Sequence, residues 1–265
     1  MATNLIDKAV LIQQKTEAVQ SFVMHHMRDS SIWHFLRWEV QLPPFLSLHA
    51  LMVILSAVFL VVIFGVVYRK QDAVPRGLTN LLELFVLFVR DQIAVPFLGR
   101  EDGRRMTPMF CSFFFFILTM NLLGLVPCFR TATSNISVTG ALAVVVLGVM
   151  IFGALYRQGL RKFCKGFVPS GVPFLVLIIL VPIEVIGLFI KAFALCVRLF
   201  ANEFAGHVVI MFLLGLVVIF GAIGFPFILL AIMVYMMEVG IAFLQAYIFT
   251  LLSAVFIGQR YHPEH

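Results

Sequence analysis

Long apolar runs separated by short polar stretches dominate the chain. After a mixed, polar segment over residues 1–44, five apolar blocks follow at 45–67, 107–129, 136–156, 167–220 and 222–258. Each is at least 21 residues long, and about 20 residues cross a hydrocarbon core of roughly 30 Å. Backbone N–H and C=O groups in lipid must be satisfied within the chain, so these blocks are predicted to be helices. Residues 75–99 form a different pattern. Arg76, Thr79, Asn80, Glu83, Arg90 and Asp91 recur at roughly helical spacing among Leu, Phe and Val. This predicts an amphipathic helix in the membrane interface. A sixth span is the other reading, and Glu83, Arg90 and Asp91 argue against it.

The fourth block has 54 residues, about 81 Å of helix, which is too long for one ordinary span. Pro169, Pro173 and Pro182 can break or kink its early part. From Ile183 to Phe220 there is neither a proline nor a turn cluster, which predicts one helix of about 57 Å. Only a tilt well beyond the usual ~20° fits it into a bilayer. The fifth block is also long, and 221–226 (GAIGFP) reads as a tight turn between the two. The expected fold class is an all-α polytopic membrane protein. It has five membrane helices and one interfacial helix, the last two membrane helices forming a long, steeply tilted hairpin. Residues 1–44 form an extramembrane segment, 45–265 the membrane domain and 183–258 the hairpin.

Composition agrees: 62% of the 265 residues are hydrophobic and 12% charged, against about 25% charged in soluble domains. The net charge of +6 is spread between apolar runs rather than on one face, so it implies a lipid bilayer and no nucleic acid. Seven basic residues lie between the first and second blocks, four between the third and fourth, and Arg260 follows the last. The opposite side carries Lys8, Lys15, Arg28, Arg37 and Arg130. The positive-inside rule then places the N terminus outside and the C terminus in the cytoplasm or its equivalent. Met1 to Val10 contains Asp7 and Lys8 and does not read as a signal peptide. Cys111, Cys128, Cys164 and Cys196 form no CxxC and read as packing residues. No metal or cofactor is expected.

The hairpin contains Glu184, Lys191, Arg198, Asn202, Glu203, His207, Glu238 and Gln245. A charge at the bilayer centre costs at least ~2.5–3.5 kcal/mol, so such residues are functional candidates by default. Glu184, Lys191 and Arg198 are seven apart and share a helix face. His207 lies half a turn around from Arg198. A hairpin centred at 222–223 sets His207 opposite Glu238 and Arg198 near Gln245, predicting a His–Glu and an Arg–Gln pair. His and Glu gain and lose protons once their environment shifts them, as a relay requires. Arg keeps its proton, as a gate requires. Structural glue between helices is the other reading of each pair. Glu184 either serves the path or pairs with Lys191. Glu203 reads as an interfacial or pairing residue.

VRLFANEFAGH (197–207), EVGIAFLQAYIFTLLSAVFIG (238–258), IEVIGLFIKAFAL (183–195) and TMNLLGLVP (119–127) resemble signatures of subunit a of the F-type ATP synthases. That family supplies the membrane stator beside the rotating subunit c ring. The resemblance covers roughly 105–260. It implies a non-catalytic subunit of a proton-driven rotary complex, with the subunit c ring, the peripheral-stalk subunit b and other synthase subunits as partners. It assigns Arg198 to the stator arginine facing the ring carboxylate. Asn202, His207, Glu238 and Gln245 fall on the half-channel open to the outer side, and Glu184 near the inner one. The order His then Glu resembles mitochondrial-type members, some bacterial members having the two exchanged. Glu203 departs from the pattern, where many members have an uncharged residue. The long N-terminal segment suggests a bacterial inner membrane, the mitochondrial inner membrane being the alternative. A proton-coupled secondary transporter is the competing function, but no internal repeat or paired broken helices support it. HExxH and GxSxG are absent, which leaves little support for an intramembrane enzyme.

Overall fold

The structure is a computed structural model, and it describes residues 13–21, 32–35, 38–41, 43, 47–67, 77–126, 129, 131–167 and 173–261. A helical segment at 13–21 (α1) precedes an antiparallel hairpin of β1 (Ile32–Phe35) and β2 (Trp38–Gln41), in register Ile32 to Gln41. The sequence pattern did not point to this hairpin. Everything after it that the structure describes is helical or turn, as expected for the membrane part. Among the described residues, five helical runs are long and apolar enough to cross a membrane: Leu48–Val66, Leu78–Leu125, Ile136–Cys164, Val176–Phe220 and Phe225–Tyr261.

The first run belongs to α2 (Leu48–Val67). The second contains α3 (Leu78–Phe88), a wider π-helical turn at Val89–Ala94, and α4 (Val95–Leu125). The elements expected separately at 75–99 and 107–129 follow one another directly in this run and meet at a kink at Gly99. There φ is 81°, in the left-handed region that glycine enters without a Cβ clash. The third run is α5 (Ile136–Gly148), a second π-helical turn at Val149–Gly153, and α6 (Ala154–Lys165). Asn135, formally a glycosylation sequon, caps α5 by accepting the Ser137 N–H at 2.9 Å.

The hairpin consists of α7 (Phe174–Phe220) and α8 (Phe225–Tyr261), joined by a 3₁₀ turn at Gly221–Gly224. One expectation is corrected here: Pro182 lies inside α7 and does not end it. Proline removes one backbone bond, and membrane helices tolerate this where neighbouring groups adjust. The 47 residues of α7 reach about 70 Å, so only a steep tilt fits the helix into a bilayer.

Phenylalanines of α4 bind the bundle together. Phe110, Phe113, Phe114 and Phe115 are buried. Phe113 meets Phe249 of α8 edge-on at 6.0 Å, and Phe64 of α2 meets Phe115 at 5.1 Å. Such pairs contribute ~0.5–1.5 kcal/mol beyond area burial. Cys111 and Cys196 are buried, consistent with packing roles; Cys164 is exposed, which corrects that expectation, and Cys128 lies outside the described residues.

Gly258 of α8 marks the tightest approach to α4, since a Cβ there would collide with the Phe97 carbonyl oxygen. Gly258→Leu is expected to lower stability by ~1–3 kcal/mol, the usual cost of overpacking. It should reduce the amount of folded subunit recovered from membranes. Gly65→Leu in α2, where a Cβ meets nothing within 4 Å, should leave that amount unchanged. Thermal unfolding in detergent, compared between the two variants, checks this.

Candidate functional site

The site forms where α7 and α8 cross the C-terminal end of α4 and the turn that follows it. The hairpin register is fixed at two places. Near the turn, the Glu238 carboxylate sits against Gly206, where a Cβ would displace it. Far from the turn, Arg260 Nη2 donates to Glu184 Oε2 at 2.7 Å. These contacts are 22 residues apart on both helices, so the pairing runs between them without a slip. The expected register is thus correct to within one residue.

That single residue changes the partners. His207 does not pair with Glu238. Its Nε2 lies in close hydrogen-bond contact with Thr131 Oγ1, in the turn between α4 and α5, and 3.5 Å from Glu203 Oε1 on its own helix. The i, i+4 spacing brings Glu203 and His207 together on one helix face. Glu203 is 3% exposed and Glu238 5% exposed. Both Glu203 and His207 act electrostatically on Glu238. The helix face holding Gly206 and His207 thus faces Glu238, but the imidazole turns toward α4 and Glu203. Glu203, expected to be an interfacial or pairing residue, is buried here and pairs with His207.

Polar groups around it complete a hydrophilic seam. Thr133 Oγ1 donates to Asn121 Oδ1 at 2.8 Å, both fully buried, and Asn121 Nδ2 has no hydrogen-bond partner among the described residues. Tyr235 Oη donates to the Leu125 carbonyl at 3.0 Å, satisfying an acceptor left open at the end of α4. Asn202 is half-buried, and its Nδ2 also lacks a partner. Buried amide nitrogens left unpaired are costly. Gln245 is buried on α8, seven residues beyond Glu238 and so on nearly the same face.

Arg198 behaves differently. It is exposed, and among the described residues it has no hydrogen bond or ion pair. The expected Arg198–Gln245 hydrogen bond does not form, because Gln245 points into the bundle while Arg198 points out of it. Ala194, Ala201 and Ala205 lie within about 60° of Arg198 around the helix, and Ala201 and Ala205 are exposed as well. The guanidinium therefore projects from a strip of small residues, a surface that another helix can approach closely.

Glu184 and Lys191 do not pair with each other as one reading had it. Glu184 binds Arg260, and Lys191 Nζ donates to Gln259 Oε1 at 2.9 Å, lying 5.3 Å from the Phe256 ring. Nearby, Arg157 pairs with Asp102, and Gln158 Nε2 donates to the carbonyls of Arg260 and Tyr261 at 2.8 and 2.7 Å. This second polar cluster closes the end of α8 and is separate from the Glu203–His207–Glu238 group along the hairpin. An apolar cavity of about 740 Å³ lined by Leu60, Phe64, Thr107, Cys111 and Phe115 includes none of these residues.

Sequence reasoning missed Thr131, Thr133, Tyr235 and Gly206. Asn121 gave a signal, as an amide inside an apolar block. Thr131 gave none, because its role depends on a turn that folds back over α7.

Comparison with known proteins shows the family. The profile of the family described as ATP synthase A chain matches residues 50–258. The chain is 47% identical over 208 residues to ATP synthase subunit a of Anaeromyxobacter dehalogenans (strain 2CP-C), covering 77% of this chain and 54% of that protein. It is 44% identical over 207 residues to ATP synthase subunit a of Myxococcus xanthus (strain DK1622), covering 74% and 67%. With ATP synthase subunit a 2 of Chlorobaculum tepidum it shares 39% over 256 residues, covering 89% and 71%. The chain spans about half the length of the Anaeromyxobacter dehalogenans relative. By family profile, by several relatives and by its five long apolar helices, this multi-pass membrane protein belongs to the ATP synthase A chain family.

Proposed function

We propose that the chain is the non-catalytic stator subunit of an ATP synthase membrane sector, supplying two offset half-channels that carry protons to and from a carboxylate on the subunit c ring. The observation that carries this reading is the contrast within one hairpin. Arg198 projects outward from a strip of small residues, whereas Glu203, His207 and Glu238 turn inward among polar groups. An outward charge on a membrane helix needs a partner of opposite sign, and a ring carboxylate is such a partner.

In this mechanism a proton from the outer side passes the seam of Asn202, His207, Glu238 and Gln245 and neutralises a ring carboxylate. The neutral acid can then face lipid as the ring turns. The proton leaves through the inner half-channel near Glu184. Arg198, always protonated, holds the ionised carboxylate and blocks direct leak between the half-channels. Each proton crossing ~100 mV releases ~2.3 kcal/mol.

The proposed setting is a bacterial inner membrane, with the N terminus outside, the C terminus cytoplasmic, and subunit b and the ring as neighbours. Two contacts support this orientation. Val19 of α1 packs on Gly215, near the hairpin turn, so the N-terminal segment and the turn share one side. Arg157 and Arg260 gather at the opposite end, the side assigned to the cytoplasm. Residues 1–44 are the outer extramembrane part, 45–265 the membrane domain, and 183–258 the translocating hairpin.

The test is ATP-driven acidification of inverted vesicles in which this chain is the sole subunit of its kind. Acidification that needs both ATP and this chain is the expected result. Proton uptake that needs a co-transported solute and is indifferent to ATP would contradict the stator role.

A further inference from the structure

Of the two buried carboxylates on the described hairpin, Glu203 and Glu238, only Glu238 has a task in the mechanism above. A buried carboxylate must be paired or protonated, since an uncompensated charge in a low-dielectric site is costly. Glu203 has one recorded ion-pair partner, His207. His207 Nε2 is shared: Thr131 Oγ1 approaches it from the turn after α4 and Glu203 Oε1 from one helical turn below. A threonine hydroxyl can donate to a bare ring nitrogen or accept from a protonated one. The imidazole is thereby held in place in both protonation states, and Glu203 faces the nitrogen that changes. Across the hairpin, Glu238 is under the influence of both groups. The three side chains do not converge as a metal-ligand set.

We propose that Glu203 is a proton carrier of the outer half-channel, exchanging a proton with His207 Nε2 and setting the proton affinity of the His207–Glu238 step. This rests on the stator reading and adds to it a residue that the family pattern does not supply. In the exchange, the Nε2–H bond of the imidazolium breaks and an O–H bond forms on Glu203. A cation and an anion become two neutral groups, and nothing is oxidised or reduced. The 3.5 Å separation is slightly longer than a hydrogen bond, a gap that a small side-chain rotation closes. The charged and titratable groups facing Glu203 are His207 on α7 and Glu238 on α8; Thr131 faces their common partner.

The test uses the intact complex in inverted vesicles, where the lumen corresponds to the outer side. ATP synthesis is measured at fixed membrane potential while lumenal pH is varied. Glu203→Gln is expected to slow synthesis at least fivefold. It should also move the midpoint of the pH profile to lower pH, because a negative charge is lost from the outer path. Glu203→Asp should keep the wild-type midpoint and at least half the rate. A Glu203→Gln complex with wild-type rate and midpoint overturns the proposal. Equal slowing in Gln and Asp variants with an unmoved midpoint also overturns it, since that is the mark of a packing role. Arg198→Ala is assayed beside them. If it is inactive while Glu203→Gln is normal, this inference fails and the stator reading stands. If Arg198→Ala is also normal, both fail.

Discussion

Replacing Arg198 by alanine should leave an assembled complex that no longer pumps protons. The side chain is exposed and makes no hydrogen bond or ion pair among the described residues, so its loss costs the fold of this chain little. Its loss to function is large. A ring carboxylate without its counter-charge faces the ~2.5–3.5 kcal/mol cost of a bare charge in the membrane. At 1.36 kcal/mol per factor of ten, that slows passage on the order of 100-fold. The leak between half-channels opens at the same time, so net acidification should fall further still. Arg198→Lys should not restore it, because an ammonium can release its proton and lacks the planar fork that binds a carboxylate at two points. A pH-sensitive dye in inverted vesicles, read beside a native gel for assembly, measures both halves of this expectation.

The second large effect is expected at Glu238, and it should be reproducible without touching the acid. Glu238→Gln removes a proton-exchanging group from the outer path and should reduce ATP-driven acidification by about 10²-fold, the low end of what a positioned acid–base group contributes. Gly206→Ala should do nearly as much. Gly206 has no chemistry of its own, but a Cβ there would occupy the place of the Glu238 carboxylate, forcing it out of its position. The double variant should be hardly worse than either single one, since both changes act on one carboxylate and couple rather than add. Normal pumping by Gly206→Ala would mean that the position of Glu238 is not critical. Strictly additive losses would mean that Gly206 acts elsewhere.

The order of helices was legible because apolar runs of bilayer length have one physical solution. The hairpin and its register followed from two long runs and a GAIGFP turn, and the contacts at Gly206 and Arg260 match that register to within one residue. Side-chain partners were less legible. An offset of one residue around a helix is about 100°, enough to give Glu238 a glycine to pack on and leave His207 to Glu203 and Thr131. The sequence cannot indicate that the turn after α4 folds over α7, so Thr131 was missed. The start of α7 was expected at Ile183, whereas Pro182 lies inside the helix, because groups of neighbouring helices can meet the backbone carbonyl that a proline frees. Arg198 does not meet its expected partner Gln245, and among the described residues it has no hydrogen bond or ion pair, which leaves it open to a partner on another chain.

The central claim is that the face of α7 carrying Arg198 lies against the subunit c ring, and disulfide cross-linking tests it most directly. Cysteine is placed singly at Ala201 or Ala205, both exposed beside Arg198, after the native cysteines have been replaced. A second cysteine is placed next to the ring carboxylate. Mild oxidation of the assembled complex should join the two subunits from either α7 position, and should not do so from Val61, which is 73% exposed on α2. Cross-links from Val61 and none from Ala201 or Ala205 would put the ring on another face and contradict the account.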